Sequence, residues 1–215
     1  MPRFDLVIFD CDGVLVDSEP VTNALLRDTL AGYGLNLSLA QVMEHFVGGT
    51  IKGVMDKANA MGAGLPADWV ETFYAQMFEA LAENVEAIPG AVAVLDALDA
   101  AGVPYAVGSN GPHAKMEITL ARTGLAPRLS GRVFSRQDVA QPKPAPDVYL
   151  LAAARAGIAP ERCAVVEDSP SGATAGKAAG MTVFGFAAEM PRARLQPICD
   201  VVFDDMSDLP DLLGL

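Results

Sequence analysis

The chain is poor in the residues on which several common kinds of site depend. Its three cysteines, Cys11, Cys163 and Cys199, form no close-spaced pair, which favours reduced thiols over a disulfide framework. Its two histidines, His45 and His113, lie far apart in sequence, which argues against both a zinc site and a Ser-His-Asp triad. Any metal chemistry is therefore expected to use oxygen ligands.

Basic residues and long apolar runs are also scarce. Fifteen Lys and Arg against twenty-seven Asp and Glu give a net charge of −12, which repels nucleic acid and anionic membranes. No apolar stretch approaches the ~20 residues of a membrane span, and the N-terminus lacks the basic and apolar regions of a signal peptide. We therefore expect a cytoplasmic, monomeric protein with neither a nucleic-acid nor a membrane partner.

From about residue 88 onward, apolar strand-like runs alternate with helical patterns. The predicted strands are Phe4–Asp10, Tyr105–Gly108, Gly131–Ser135, Cys163–Glu167, Thr182–Phe186 and Asp200–Phe203, and the predicted helices lie near 90–101, 112–123, 145–157 and 170–179. This alternation predicts an α/β fold with a Rossmann-like parallel sheet and helices on both faces.

Residues 18–86 have a different pattern, with no convincing strand and several helical stretches. Ser18 can cap a helix and Pro89-Gly90 can break one, so both edges of this segment are plausible hinges. The sequence therefore predicts a core domain formed by 1–16 and 88–215, with a helical cap domain inserted at 17–87.

The first predicted strand ends in two aspartates, Asp10 and Asp12, followed by Gly13. In an extended chain, positions i and i+2 project the same way, and desolvating unpaired carboxylates is costly. Such a pair suits a nucleophile and a proton donor, provided that a cation relieves their repulsion. The alternative is a strand whose Asp-Gly ending merely begins a turn.

Polar residues also follow other predicted strands. They are Ser109-Asn110-Gly111-Pro112, Glu167-Asp168-Ser169, and Lys143 in a loop between prolines. Taken singly, each could be an ordinary helix N-terminus or a solvated loop lysine. Because the carboxyl ends of parallel strands meet at one edge of a sheet, together they favour a single site there.

The acidic residues of this site point to a divalent cation. Asp10, Asp12, Glu167 and Asp168 would place four carboxylates close together, and each pair would repel by roughly 4 kcal/mol at about 4 Å and an effective dielectric of about 20. Mg²⁺ is a hard cation that prefers oxygen ligands and shares them with a substrate phosphate. The sequence therefore predicts Mg²⁺ as the cofactor.

The order of these motifs resembles the haloacid dehalogenase superfamily of phosphatases. Asp10-Cys-Asp12-Gly13-Val-Leu-Val-Asp17-Ser18-Glu19, Ser109-Asn110, Lys143 and Glu167-Asp168-Ser169 match its four motifs in sequence order. A helical insert directly after the first motif is similar to the cap of the beta-phosphoglucomutase-like subgroup. Gly108-Ser109-Asn110-Gly111-Pro112 with Lys115-Met116 resembles sugar phosphatases of the 6-phosphogluconate phosphatase type.

The resemblance implies a role for each motif. Asp10 would attack phosphorus to form an aspartyl-phosphate, while Asp12 would protonate the leaving oxygen and then activate water. Phosphate would be held by Ser109, the Asn110 amide and Lys143. The Mg²⁺ ligands would be Asp10, the Asp12 carbonyl, Asp168 and, directly or through water, Glu167. Cap closure would exclude water from a small phosphorylated metabolite.

Two departures from the subgroup bear on the reaction. Members with mutase activity carry a histidine early in the first cap helix, where this chain has Thr22. A cap arginine that grips a second phosphate has no clear match near Gly48-Gly49-Thr50-Ile51, although Lys52 could substitute. We therefore predict hydrolysis. The alternatives are a beta-phosphoglucomutase-like isomerase and a non-catalytic binding module.

Overall fold

The computed structural model describes residues 3–46 and 50–215. The chain divides into two compact units. The core unit consists of Met1–Asp17 and Glu86–Leu215, and the helical unit of Ser18–Val85.

The core unit contains the strands, which lie in two sheets. They are β1 (Leu6–Phe9), β2 (Val16–Asp17), β3 (Glu86–Ala87), β4 (Tyr105–Ser109), β5 (Val133–Ser135), β6 (Cys163–Glu167), β7 (Thr182–Phe186) and β8 (Val201–Phe203). The main sheet has the order β5-β4-β1-β6-β7-β8, and its neighbouring strands are parallel. The predicted α/β fold is confirmed.

The helices follow the expected alternation in the core unit. Those of the helical unit are α1 (Glu19–Gly32), α2 (Leu39–Phe46), α3 (Ile51–Ala60) and α4 (Trp69–Asn84). Those of the core unit are α5 (Ala91–Ala101), α6 (His113–Arg122), α7 (Asp147–Ala156), α8 (Pro170–Ala178), α9 (Arg192–Leu195) and α10 (Leu209–Leu213). Among the helices of the described residues, none has both the length and the hydropathy needed to cross a bilayer.

Strand β1 is central because its side chains are apolar on both faces. All four of its residues are buried, and it pairs in parallel with β4 on one side and β6 on the other. Leu6 and Ile8 belong to a buried cluster that also contains Tyr149 of α7 and Ala173 of α8. A near-continuous apolar run of this kind is typical of a strand covered by helices on both faces.

One part of the secondary structure was missed in the sequence. Residues 18–86 were expected to contain no strand, yet Glu86 begins β3, which pairs antiparallel with β2 through Val16↔Ala87 and Asp17↔Glu86. Two residues per strand are too few to show the alternation by which a strand is recognised. These short strands lie in the two stretches of the core unit that join the helical unit.

The helical unit packs through apolar stripes at helical spacing. Leu26 and Leu30 are buried on α1, and Phe73, Met77 and Leu81 are buried on α4. These positions recur at intervals of four residues, so they lie on one side of each helix. The segment is helical, as the spacing of its apolar residues predicts.

The strand order places a switch point at β1. The chain runs from β1 to β4 and β5 on one side, then crosses to β6, β7 and β8 on the other. In open parallel sheets, ligands bind beyond the carboxyl ends of the strands at such a point. A site is therefore expected among the residues that follow β1.

Candidate active site

The two aspartates of the first motif lie directly after β1. The Asp10 N–H donates to the Val166 carbonyl at 2.9 Å, so Asp10 is still aligned with the sheet when the chain begins to turn past Asp12. Gly13 has φ +76°, and a methyl group on its Cα would lie 2.1 Å from Asp168 Oδ2. Glycine is required here because the backbone is left-handed and because Asp168 approaches it closely.

Lys143 links the first and last motifs through a buried ammonium group. Its Nζ lies 2.7 Å from Asp10 Oδ1 and 2.7 Å from Glu167 Oε1. The same atom lies 4.6 Å from the centre of the Tyr149 ring, a cation–π contact. Burial alone would lower the pKa of Lys143, but the two carboxylates outweigh it and hold that pKa well above its usual value. Lys143 therefore remains charged and fixes the orientation of Asp10.

Glu167 is completely buried and has hydrogen bonds to both carboxylate oxygens. Oε1 accepts from Lys143 Nζ and from Tyr149 Oη at 3.0 Å, and Oε2 accepts from the Ser169 N–H at 2.8 Å and its hydroxyl at 2.9 Å. Burial raises the pKa of Glu167, but Lys143 and Ser169 outweigh it and the net pKa is lowered. Glu167 is therefore an ionised residue that anchors its neighbours.

Asp10 differs from Glu167 in its electrostatic environment. Burial has the largest effect on the pKa of Asp10 and raises it. Lys143 lowers this pKa, whereas repulsion from Glu167 and Asp12 raises it further. The net result is a pKa of about 6. Burial and the adjacent Asp12 and Asp10 also raise the pKa of the Cys11 thiol well above its usual value. Cys11 is thus a buried thiol rather than a reactive thiolate.

The loop after β4 is tied to the loop that carries Lys143. The Asn110 side chain donates from Nδ2 to the Lys143 carbonyl at 3.2 Å, and its Oδ1 accepts from the Lys143 N–H at 2.9 Å. Ser109, at the end of β4, is buried, and its Oγ accepts from the Gly111 N–H at 3.0 Å. Asn110 therefore holds the backbone of Lys143, while Tyr149 and Glu167 hold its ammonium group.

The carboxylates meet the requirements of a hard cation. Asp10, Glu167 and Asp168 each offer an oxygen, and these oxygens lie within 4.8 Å of one another. Carboxylate oxygens grouped in this way are the kind of donor that Mg²⁺, a hard cation, prefers. Both oxygens of Glu167 already accept hydrogen bonds from Lys143, Tyr149 and Ser169, so Asp10 and Asp168 are the stronger candidates for direct contact with a cation.

The predicted core residues are brought together, whereas the two cap residues lie in the other unit. A methyl group on Gly111 would lie 3.3 Å from Ser109 Oγ and 3.6 Å from Asp12 Oδ2, so the first two motifs adjoin. In the helical unit, Thr22 donates its hydroxyl to the Ser18 carbonyl at 2.8 Å, and Lys52 forms an exposed ion pair with Asp56 at 3.4 Å.

The segment Gly48-Gly49-Thr50-Ile51, near which the sequence has no clear match to a cap arginine, is only partly described. Gly48 and Gly49 lie outside the described residues. Thr50 caps α3 by accepting from the Gly53 N–H at 3.1 Å. Its role is therefore accounted for by the helix that it begins.

Three residues at the site were not assigned a role from the sequence. Tyr149 resembles an ordinary core residue of α7, Gly172 resembles a poor helix residue, and Lys115 entered only through a resemblance. In the structure, a methyl group on Gly172 would lie 1.5 Å from Glu167 Oε1. A glycine inside a short helix, which costs about 1 kcal/mol relative to alanine, was the signal that could have indicated a close approach.

Tyr149→Phe is expected to destabilise the fold by about 1.5–3 kcal/mol, the usual effect of losing a hydrogen bond to a charged group. The phenyl ring keeps the packing and the contact with Lys143, while Glu167 loses one donor. Urea unfolding at neutral pH measures the change. A variant as stable as the original chain would contradict the hydrogen bond between Tyr149 and Glu167.

Comparison with known proteins identifies the family of the chain. The family model described as haloacid dehalogenase-like hydrolase matches residues 4–180. The chain belongs to this family, and its enzyme class is that of a phosphoric monoester hydrolase.

Two curated relatives and one solved structure illustrate the likeness. The chain is 32% identical to 6-phosphogluconate phosphatase of Escherichia coli K12, covering 99% of this chain and 96% of the relative. It is also 32% identical to hexitol phosphatase A of the same organism, covering 94% and 91%. The crystal structure of a HAD family hydrolase from Deinococcus radiodurans R1, with bound phosphate and sodium, is similar at 34% identity and a TM-score of 0.87, covering 99% and 96%.

Proposed function

We propose that this protein is a Mg²⁺-dependent phosphatase that hydrolyses small phosphorylated sugars or sugar acids through an aspartyl-phosphate on Asp10. The observation that carries the proposal is the buried Asp10 carboxylate, oriented by Lys143 Nζ at 2.7 Å, with a second aspartate two residues further on. A nucleophile whose orientation is fixed before substrate arrives is what phosphoryl transfer requires, because catalysis there is mostly positioning and charge stabilisation.

In the first step, an Asp10 carboxylate oxygen attacks phosphorus in line with the leaving oxygen. The bond between Asp10 and phosphorus forms while the bond from phosphorus to the substrate oxygen breaks, and Asp12 gives that oxygen a proton. The hydroxyl of Ser109 and the backbone amide of Asn110 would bind the phosphoryl oxygens. Lys143 offsets negative charge on Asp10 and on the transferring group.

In the second step, water attacks phosphorus and the acyl-phosphate bond breaks. Asp12, now ionised, takes a proton from the water, phosphate leaves, and the Asp10 carboxylate is restored. One residue thus acts as acid and then as base, so the proton lost in the first step is regained in the second.

Mg²⁺ would be held by Asp10 and Asp168, with the Asp12 carbonyl completing the protein ligands and Glu167 acting through water. When bound, the cation supplies charge stabilisation for the phosphoryl oxygens and lowers the repulsion between substrate and carboxylates. The carboxylate oxygens within 4.8 Å of one another support this assignment.

The substrate class and the choice of hydrolysis have separate support. The names of the two curated relatives specify a phosphorylated sugar acid and hexitol phosphates, which suggests a polyhydroxylated small substrate. Thr22 replaces the histidine expected of a mutase, and its hydroxyl is engaged with the Ser18 carbonyl at 2.8 Å. We infer transfer to water rather than to a second sugar position.

The test is phosphate release from a panel of sugar phosphates that includes 6-phosphogluconate and hexose 1-phosphates. With Mg²⁺ we expect release from a narrow set. EDTA is expected to reduce the rate by at least about 100-fold, in keeping with the several kcal/mol that a bound cation contributes, and added Mg²⁺ should restore it. Conversion of hexose 1-phosphate to hexose 6-phosphate without phosphate release would favour the isomerase instead.

A further inference from the structure

Asp12 has a cationic partner that the mechanism above does not use. Lys115 Nζ lies 2.8 Å from Asp12 Oδ1, and the Lys115 side chain is only 16% exposed. The Asp12 side chain is 27% exposed, so the pair is partly withdrawn from water, and such a pair is held in a more defined geometry than a fully exposed one. The two aspartates of the first motif thus each contact a lysine, Asp10 through Lys143 and Asp12 through Lys115.

The place of Lys115 in its helix is unfavourable for a cation. It is the third residue of α6, and the first turn of a helix carries the positive end of the helix dipole. Lys177 provides a contrast, because it lies in the last turn of α8, where a cation is favoured, and its exposed side chain pairs with Asp200 at 2.6 Å. Helix stability therefore accounts for Lys177 but not for Lys115.

We propose, resting on the function proposed above, that Lys115 is a positioning residue that holds Asp12 where it can protonate the leaving oxygen. As the bond from phosphorus to that oxygen breaks and the proton leaves Asp12, negative charge develops on the Asp12 carboxylate. The ammonium group of Lys115 is placed to stabilise that charge. An interaction that strengthens as the reaction proceeds lowers the barrier to the chemical step.

The test compares two substrates that differ in their need for a proton. A sugar phosphate releases an alkoxide, which must be protonated, whereas p-nitrophenyl phosphate releases an acidic phenol that leaves as its anion. The measured quantity is kcat/KM, which reports on steps up to the first phosphoryl transfer. Lys115→Met is expected to lower kcat/KM for the sugar phosphate by about 10- to 100-fold, and that for p-nitrophenyl phosphate by less than about threefold.

Three further comparisons make the test specific. Lys177→Met removes a lysine–aspartate pair elsewhere, and we expect both substrates to keep kcat/KM within about twofold. Lys115→Arg keeps the charge and should restore most of the activity on the sugar phosphate, which also guards against misfolding of the methionine variant. In an Asp12→Asn background, Lys115→Met should add almost nothing, because the two residues act as one unit.

Other outcomes would overturn the proposal. Equal losses on both substrates would mean that Lys115 binds the phosphoryl group rather than positioning Asp12. Unchanged kcat/KM on both would reduce the pair to a structural contact. If the unmodified chain released no phosphate from either substrate, the proposed function would fail, and the role of Lys115 would fail with it.

Discussion

Asp10→Asn is expected to abolish phosphate release, lowering kcat by about 10⁴-fold or more, the scale seen when an enzyme loses its nucleophile. The amide keeps the shape of the carboxylate and an oxygen that can accept from Lys143, so the loss reflects chemistry rather than packing. Phosphate release with Mg²⁺ measures it. Because the variant is purified identically, its activity also sets the limit on any contaminating phosphatase.

The same variant is expected to be more stable than the original chain when Mg²⁺ is removed with EDTA. The pKa of Asp10 rises from its unfolded value of 3.8 to about 6 in the fold. The neutral form is therefore favoured by folding, and the associated stability is present at low pH and lost as pH rises through 6. At pH 7, where Asp10 is ionised, this lowers the free energy of unfolding by on the order of 3 kcal/mol. Asparagine is neutral at every pH and does not have this cost.

Urea unfolding in EDTA at pH 7 and pH 5 tests this part. The advantage of the asparagine variant should shrink at the lower pH, where Asp10 in the original chain takes up its proton. Mg²⁺ should then stabilise the original chain more than the variant, since only the former keeps the Asp10 ligand. An active asparagine variant would contradict the role of Asp10 as the nucleophile, and a variant that gains as much from Mg²⁺ as the original chain would contradict its role as a ligand.

Parts of the fold were predictable because their physical cause lies in consecutive residues. The strands Cys163–Glu167 and Thr182–Phe186 coincide with the predicted runs. An apolar run between turn residues can be recognised as a strand from its own sequence, without knowledge of its partner strands. The pair β2 and β3 was not predictable in this way. Each strand has two residues, and their pairing depends on a partner about seventy positions away.

Some residues of the candidate site were predictable from the sequence, and others depend on how the helices pack. Carboxylates that follow β1 and β6 could be placed at one sheet edge by topology alone. The donors around Glu167 could not, because Tyr149 resembles an ordinary apolar position of a helix and its hydroxyl meets Glu167 only after α7 packs on the sheet. The close approach of Tyr149 to Gly108 could not be predicted from the sequence either. A methyl group on Gly108 would lie 3.0 Å from the Tyr149 ring.

Gly172 is the residue at which this hidden packing should have the largest effect on stability. It is the third residue of α8, and a methyl group on its Cα would lie 1.5 Å from Oε1 and 2.0 Å from Cδ of Glu167. The carboxylate cannot swing aside freely, because Lys143, Tyr149 and Ser169 all donate to it. Alanine at this position must therefore displace a buried ion pair.

We expect Gly172→Ala to destabilise the fold by about 3–5 kcal/mol, as when a buried ion pair is broken. It should also lower kcat/KM by about 100-fold, because Lys143 would lose the partner that fixes it. Urea unfolding and phosphate release measure the two effects.

The matched control is Gly32→Ala, at the end of α1, where a methyl group would meet nothing within 4 Å. Helix propensity predicts that the control is neutral or gains up to about 1 kcal/mol. If Gly172→Ala behaved like this control, Glu167 could not lie against α8. The conclusion that Glu167 fixes the position of Lys143 would then be wrong.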